Sequence, residues 1–319
     1  MIAFTHLPNL AQSIILLSVV ILVKAVFYKI SPHEPLRFFR FYCFRLANKV
    51  NNQKNNPHQQ HISGIIAVII TLLPIITILS LFETLIEIIP IWHALLLYLA
   101  IGGFSLKLVA KNIARSINVN NKYQAKTLLA TQVLRDTDQL SMVGINKACI
   151  EMLVVRSVQQ QFVVAAIFLL CGALTALSFR LLLEMHYSWN IKQQRFNYFG
   201  QGINKVVNIM QWLPTRLFLL LQIIITLNHP VSLYWRLIKK HFFKNNNSIV
   251  IHYLAFILTV KLGGVAMYKL QKLRRLSFND KGRQPQANDI INATEHIFKV
   301  QCSALFLLFF ILLLIITAS

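Results

Sequence analysis

Long apolar stretches constrain the fold of this chain more than any other feature of its sequence. A helix needs about 20 apolar residues to cross a bilayer, and residues 11–27, 64–81, 91–109 and 162–183 approach or reach that length. The chain is 56% hydrophobic and its mean hydropathy is +0.57, too apolar for an ordinary soluble protein. We therefore predict an all-α, polytopic helical membrane protein with a helical cytoplasmic part.

The number of membrane crossings is less sharply defined than the fold class. We expect four spans from the stretches above. Three weaker apolar runs, residues 213–227, 249–267 and 302–317, predict one to three more, because they are short or interrupted by polar residues.

Positive charge is concentrated in the polar segments beside the apolar runs. The chain has 32 Lys and Arg against 10 Asp and Glu, for a net charge of +22. Such residues typically mark cytoplasmic loops that face anionic lipid, so we expect membrane lipid as a partner and no nucleic acid. The alternative is that some of these basic residues form a site for phosphate-bearing substrates.

The distribution of these charges predicts a multi-pass protein of the bacterial inner (cytoplasmic) membrane. The loops after the first and third runs are basic, whereas the second loop has no Lys or Arg, which places the amino terminus outside. The first run lacks a basic start and a small-residue cleavage site, so we expect a retained helix rather than a cleaved signal.

Residues 112–161 have the apolar periodicity of an amphipathic helical segment, which we place in the cytoplasm. The segment contains the triplet Arg135-Asp136-Thr137, in which a carboxylate lies between a cation and a hydroxyl. This combination suits a magnesium-phosphate or carboxyl group. The alternative is that Asp136 or Thr137 caps the next helix.

Glu151 is the second acidic residue of interest in this segment. As a functional acid it would position a metal ion or a nucleophilic amine. The alternative is a simple ion pair with Lys147, one helical turn earlier.

Three other places are candidate contacts for substrate. Gly263 and Gly264 follow Lys261, and their backbone N–H groups can approach a phosphate because glycine has no side chain; the alternative is a helix terminus or a close helix crossing. Asn246 is most simply a loop residue, and His33 is most simply structural.

Other polar residues predict structure rather than chemistry. Arg180, Glu184 and His186 lie at the end of an apolar run and are expected to face protein or water rather than lipid. The four cysteines lack metal-ligand spacing, so we expect reduced thiols and no zinc site. The sequence has no nucleotide-binding glycine loop and no hydrolase triad motif.

Several short patterns, in the same order, resemble the CbiB/CobD family, the membrane-bound adenosylcobinamide-phosphate synthases of cobalamin biosynthesis. The family patterns A-R-x-x-L-S-x-x-V-G-R-D-T and R-A-x-x-E resemble Ala125-Lys126, Leu129, Val133, Arg135-Asp136-Thr137, Lys147-Ala148 and Glu151. Further matches are Pro32-His33, Phe199-Gly200, Pro214-Thr215-Arg216-Leu217, residues 259–264 with Tyr268, residues 281–285, and Asp289-Ile290. The sequence of residues 211–214 also resembles AmpE, a regulatory membrane protein of the same superfamily.

Most acidic residues of the family patterns are replaced in this chain. Where the family patterns have an acid or an asparagine near it, this chain has Val155, Arg156, His186, Val207, Asn208, Gln211 and Ile251. Most of the carboxylates that would hold magnesium are therefore missing.

The resemblance implies a single integral membrane domain over residues 1–319 and a role in cobalamin biosynthesis or salvage. The implied reaction is ATP-dependent amide formation between adenosylcobyric acid, a corrinoid, and an aminopropanol or its phosphate, with ATP and magnesium. Asp136 and Glu151 would then be the catalytic and metal-binding acids. The substrate contacts would be Arg135, Thr137, Asn246, Lys261, Gly263, Gly264 and His33.

The substituted acids support a different class of function. The alternative is a catalytically degenerate, AmpE-like membrane sensor or interaction protein that keeps the fold. The sequence leaves the oligomeric state open.

Overall fold

The described part of the protein is mostly helical, as predicted. The computed structural model describes residues 7–30, 35–226, 246–268 and 271–318. The α-helices are α1 (Asn9–Ile30), α2 (Arg37–Val50), α3 (Pro57–Leu85), α4 (Ile89–Ala100), α5 (Ser105–Asn118), α6 (Lys122–Ala130), α7 (Met142–Ser157), α8 (Val163–Cys171), α9 (Ala173–Ser188), α10 (Gln201–Met210), α11 (Trp212–Ile225), α12 (Asn246–Ile257) and α13 (Ala287–Ala318). A π-helical turn, Val158–Phe162, joins α7 to α8.

Four short strands interrupt the helical pattern near the carboxyl end. β1 (Leu262–Gly263) pairs antiparallel with β4 (Ser277–Phe278), and β2 (Ala266–Tyr268) pairs antiparallel with β3 (Gln271–Leu273). The weak apolar run 249–267 is therefore not a membrane span, because helix α12 ends at Ile257 and strands follow it.

The described residues contain five helical stretches long and apolar enough to cross a membrane. They are Asn9–Tyr28, Pro57–Leu85, Ile89–Asn118, Met142–Cys171 and Ala287–Thr317. A sixth arises if α10 and α11, which meet at an angle of 47°, form one broken span. The chain is thus a multi-pass membrane protein, and the count lies within the predicted range.

The fourth predicted span, residues 162–183, is wrong in its boundaries. Gly172 has φ +88 and separates α8 from α9, so the run is broken. The candidate span instead begins at Met142 and ends at Cys171. Segment 112–161, predicted to be cytoplasmic, therefore includes the start of a candidate span, and its location stays a prediction.

The first of two compact units comprises Met1–Gly102, Gln159–Pro214 and Leu305–Ser319. Helix α9 is central to it and packs against α2, α3, α4, α8 and α10. Phe179 and Leu183 on this helix are fully buried. After the helix, the Trp189 indole N–H donates to the Cys43 carbonyl over 2.9 Å, which ties the end of α9 to α2.

The second unit comprises Gly103–Val158 and Thr215–Ala304. In it α5 packs against α6 and α7, and α12 packs against α7, β1 and β4. Every predicted site residue that the structure describes lies in this unit. His33 lies outside the described residues.

Candidate functional site

The Arg135-Asp136-Thr137 triplet lies in the irregular segment between α6 and α7. The Asp136 backbone N–H donates to the Met267 carbonyl on β2 over 3.0 Å, which fixes the segment against the strands. The residue that caps α7 is Ser141, whose side chain accepts the Gly144 N–H over 3.1 Å. The alternative that Asp136 or Thr137 caps the next helix is therefore wrong.

Glu151 on α7 is a buried carboxylate surrounded by donors. Its Oε2 atom accepts from Arg135 Nη2 over 3.3 Å and from Arg275 Nη1 over 2.9 Å. Its Oε1 atom accepts the Gly263 backbone N–H over 2.9 Å. Within the described structure these two arginines are its ion-pair partners, so the alternative of a pair with Lys147 is not observed. We call Arg135, Glu151, Gly263 and Arg275 the Glu151 centre.

The Glu151 centre carries a surplus of positive charge, because two guanidinium groups share one carboxylate. Burial lowers the pKa of Arg135, and the Glu151 charge offsets part of that effect. Burial also acts to lower the pKa of Arg275, but the Glu151 charge and hydrogen bond together with Tyr268 raise it overall. Both arginines stay protonated at neutral pH.

One nitrogen of Arg275 has no hydrogen-bond partner among the described residues and is available to a ligand. Its Nε atom donates to the Gly264 carbonyl over 3.2 Å and its Nη1 atom to Glu151. Its Nη2 atom is buried and has no hydrogen-bond partner among the described residues. Since a guanidinium binds carboxylate and phosphate oxygens well, this atom favours an anionic ligand.

The Glu151 centre does not fit a metal ion held by Glu151. Both carboxylate oxygens already accept from cationic or backbone donors, and the nearby positive charge opposes a divalent cation. No group of three or more His, Cys, Asp and Glu side chains in the described ranges is arranged to hold a metal. A metal role for Asp136, which is partly buried, stays a prediction.

Gly263 is the last residue of β1 and Gly264 lies in the connection to β2, so neither is at a helix terminus or a helix crossing. Their φ angles are +75 and +89, a region that glycine adopts without strain. A Cβ atom on Gly263 would lie 2.1 Å from the Leu276 carbonyl oxygen. The Gly263 N–H donates to Glu151 and the Gly264 N–H to Leu276, so both amides already have partners within the protein.

Lys261 and Asn246 lie in other contacts of the second unit. Lys261 Nζ pairs with Asp280 Oδ1 at 2.9 Å on the surface. Asn246 opens α12, is buried, and accepts from Arg216 Nη1. Asn246 is therefore not a loop residue. Two family patterns that are far apart in sequence thus meet at Arg216 and Asn246, whereas substrate contact by Asn246 or Lys261 stays a prediction.

The pattern around Arg283 has a structural explanation. Its guanidinium forms two bonds to the Asp289 carboxylate, at 2.7 and 2.6 Å, and the Gln286 N–H donates to the same carboxylate over 2.7 Å. Asn146 on α7 donates to the Pro285 carbonyl over 3.0 Å. These contacts fix the start of α13.

In the first unit, amides occupy positions where the family patterns have acids or asparagine. Gln211 Nε2 donates to Asn208 Oδ1 over 2.9 Å, and Gln159 Nε2 donates to Gln211 Oε1 over 2.9 Å. Tyr187 donates to Gln159 Oε1 over 2.8 Å. This amide network, Asn208, Gln211, Gln159 and Tyr187, has no negative charge with which to hold a metal ion.

Arg275 is the member of the Glu151 centre that sequence reasoning missed. It is one of 32 basic residues, and no motif distinguishes it from its neighbour Arg274. Its role depends on the chain folding back over 124 positions to reach Glu151.

Comparisons with known proteins agree with the resemblance seen in the sequence. A family model described as CobD/Cbib protein matches residues 19–297, which include parts of both units. The protein named Cobalamin biosynthesis protein CobD from Chromobacterium violaceum is 29% identical over 175 residues, which cover 54% of this chain and 55% of that protein. The protein of the same name from Stutzerimonas stutzeri is 27% identical over 203 residues, or 64% and 67% of the two chains.

A third relative has a lower identity to this chain. The Probable cobalamin biosynthesis protein CobD from Pyrococcus abyssi is 24% identical over 206 residues, 65% of this chain and 66% of that protein. The matches thus span about half to two thirds of the length of these relatives. No solved structure matches the chain. Because the family model covers most of its length, the chain belongs to the CobD/Cbib protein family.

Proposed function

We propose that this chain acts in cobalamin biosynthesis or salvage as a membrane-bound amide-forming enzyme. It would join adenosylcobyric acid to an aminopropanol or its phosphate with consumption of ATP. The observation that carries the proposal is the Glu151 centre, where Arg135 and Glu151 from one family pattern meet Gly263 from another. Relatives named as cobalamin biosynthesis proteins support the pathway.

The charge of the Glu151 centre suits the reactants of such a step. A corrinoid carboxylate, an acyl phosphate and a phosphorylated aminopropanol are all anionic, and ATP supplies the phosphoryl group that activates the carboxyl. Arg275 Nη2 and Arg135 are the groups that would bind these anions. When the amine displaces phosphate, the same arginines would stabilise the departing negative charge.

This proposal gives Glu151 a positioning role. The carboxylate holds both guanidinium groups and the Gly263 N–H, so it orients the anion-binding donors. Magnesium, when bound, would neutralise phosphate charge, but Glu151 is not suited to hold it. Asp136 and Thr137, beside Arg135, are the proposed contacts for the metal ion or the amine.

Genetic complementation tests the proposal. A bacterial strain that lacks its own synthase, fed cobyric acid, should regain cobalamin-dependent growth when it expresses this chain. Arg275→Gln should abolish rescue, whereas Arg274→Gln, a change at the exposed neighbouring arginine, should preserve it. Absence of rescue by the wild-type chain, with the protein present in the membrane, rejects the enzymatic function.

One observation favours a second candidate, a catalytically degenerate and AmpE-like interaction protein. In the amide network, the neutral Asn208 stands where the family patterns have an aspartate, and Gln211 stands where they have an asparagine. This candidate predicts that the wild-type chain is folded and abundant in the membrane but gives no rescue in the same strain.

A further inference from the structure

A buried arginine in the first unit has donors without a hydrogen-bond partner among the described residues. Arg180 on α9 is 2% exposed. Its Nη2 atom pairs with Glu184 Oε1 at 2.7 Å, one helical turn away. Its Nε and Nη1 atoms are buried and have no hydrogen-bond partner among the described residues.

Gln160 is a second buried group of this kind. It lies in the π-helical turn Val158–Phe162 and is 0% exposed. Both polar atoms of its side-chain amide lack a hydrogen-bond partner in the described part of the chain. A π-turn interrupts regular helix pairing and is frequently found at functional sites.

Gly102 contacts both residues, the main chain of Gln160 and the guanidinium of Arg180. Its backbone N–H donates to the Gln160 carbonyl over 3.1 Å. A Cβ atom added to Gly102 would lie only 2.8 Å from Arg180 Nη2, so the guanidinium rests directly against this glycine. Gly102, Gln160 and Arg180 all belong to the first unit.

Glu184 does not supply the missing acceptors. Its carboxylate is shared, because Oε2 accepts from Arg40 Nε over 3.0 Å while Oε1 faces Arg180 Nη2. Leaving buried donors of a charged group without acceptors is costly, so such groups normally contact a ligand or water.

We propose that Arg180 and Gln160, beside Gly102, form a binding site for an oxyanion, namely a phosphate or carboxylate group. The oxygens of this group accept from Arg180 Nε and Nη1 and from Gln160 Nε2. A hydroxyl on the ligand, or a water molecule carried with it, donates to Gln160 Oε1. The site lies outside the Glu151 centre and does not depend on the proposed amide-forming activity.

Anion titration of the purified full-length protein tests the site. Inorganic phosphate, acetate and chloride are titrated in turn, and binding is followed by calorimetry. We expect phosphate or acetate to bind while chloride at equal ionic strength does not, and Arg180→Gln to weaken binding at least tenfold. Arg37→Gln, a change at an exposed arginine of the same unit, should leave binding unchanged. Equal affinity in Arg180→Gln and wild type overturns the proposal.

A second experiment identifies the source of the oxyanion. The protein is reconstituted in nanodiscs of phosphatidylcholine or of phosphatidylglycerol, and thermal unfolding is recorded for wild type and Arg180→Gln. Stabilisation of the wild type alone by phosphatidylglycerol identifies a lipid headgroup, whereas stabilisation by soluble anions only identifies a free ligand. Stabilisation by neither means that water satisfies these groups, and the proposal fails.

Gln160→Met separates binding from folding. Methionine has a similar volume and no unpaired polar atoms, so this variant should unfold at a higher temperature than wild type without ligand. Its anion-induced shift should be smaller than that of the wild type. A lower unfolding temperature combined with an unchanged anion shift assigns Gln160 a purely structural role and overturns the proposal.

Discussion

The Gly263 backbone N–H donates to the Glu151 carboxylate over 2.9 Å, although 112 positions separate the two residues. The bond joins α7 to β1, and the same carboxylate binds Arg135 and Arg275. One acidic side chain therefore connects α7 to three other segments of the second unit. Its environment accounts for both the stability and the proposed anion binding of this region.

Removal of the Glu151 charge should strongly destabilise the protein. In Glu151→Gln the Arg135 side chain, which is 8% exposed, and the partly exposed Arg275 side chain lose their buried counter-ion, and breaking a buried pair in this way typically costs about 3–5 kcal/mol. Thermal unfolding of the purified protein in detergent measures the loss. Glu83→Gln is the control, because Glu83 pairs with His93 at a half-exposed position and such pairs contribute about 0–1 kcal/mol. Equal losses in the two variants would contradict the structure of the Glu151 centre.

The two adjacent glycines should differ in their tolerance of alanine. Gly264→Ala introduces a side chain at φ +89 with no atom within 4 Å, so only backbone strain of about 1–2 kcal/mol is expected. Gly263→Ala adds a clash with the Leu276 carbonyl, and its total cost should exceed that of Gly264→Ala. Unfolding temperatures of the two variants, measured side by side, give the order, and the reverse order would show that the β1–β4 pairing is incorrect.

The start of α7 can be located by a capping substitution. Ser141→Ala removes the acceptor of the Gly144 N–H and should cost about 1 kcal/mol. Ser141→Asp should recover most of this loss, since aspartate also caps helices well. The comparison uses chemical denaturation in one detergent. If alanine and aspartate have the same stability, Ser141 is not the cap.

Cys43 should be unreactive in the folded protein. Burial, and to a lesser extent the Glu184 charge, raise the pKa of this thiol to about 12, so little thiolate exists at pH 8. N-ethylmaleimide should modify Cys43 only after unfolding in SDS, as read by mass spectrometry. The same protein unfolded in SDS serves as the reactive control. Modification of Cys43 at equal rates in the folded and the unfolded protein at pH 8 would contradict the packing of α2 on α9.

The helical spans could be predicted because their signal is local. Runs 11–27, 64–81 and 91–109 each lie within a helix or a longer helical stretch of the structure. The fourth run could not be placed correctly, because its apolar composition continues across Gly172 while the backbone turns there. A hydropathy profile depends only on residue types, so it does not detect the left-handed conformation of one glycine.

The Glu151 centre could be predicted only in part. Arg135, Glu151 and Gly263 stand in recognisable patterns, but their mutual contact requires α7 and β1 to come together. Arg275 carried no local signal, and the short strands that place it are too brief to show a two-residue alternation. Two alternatives from the sequence, a helix cap at Asp136 or Thr137 and an ion pair between Glu151 and Lys147, are not observed. Both involved only residues close together in the sequence, whereas the contacts of Glu151 come from distant segments.

Direct detection of product tests the central claim. The purified chain in nanodiscs is incubated with adenosylcobyric acid, aminopropanol phosphate, ATP and magnesium, and corrinoids are analysed by mass spectrometry. We expect a new corrinoid with the mass of the amide, formed by wild type and Arg274→Gln and lost in Arg275→Gln. Absence of this product with folded wild-type protein, when a known synthase forms it under the same conditions, would contradict the proposed function.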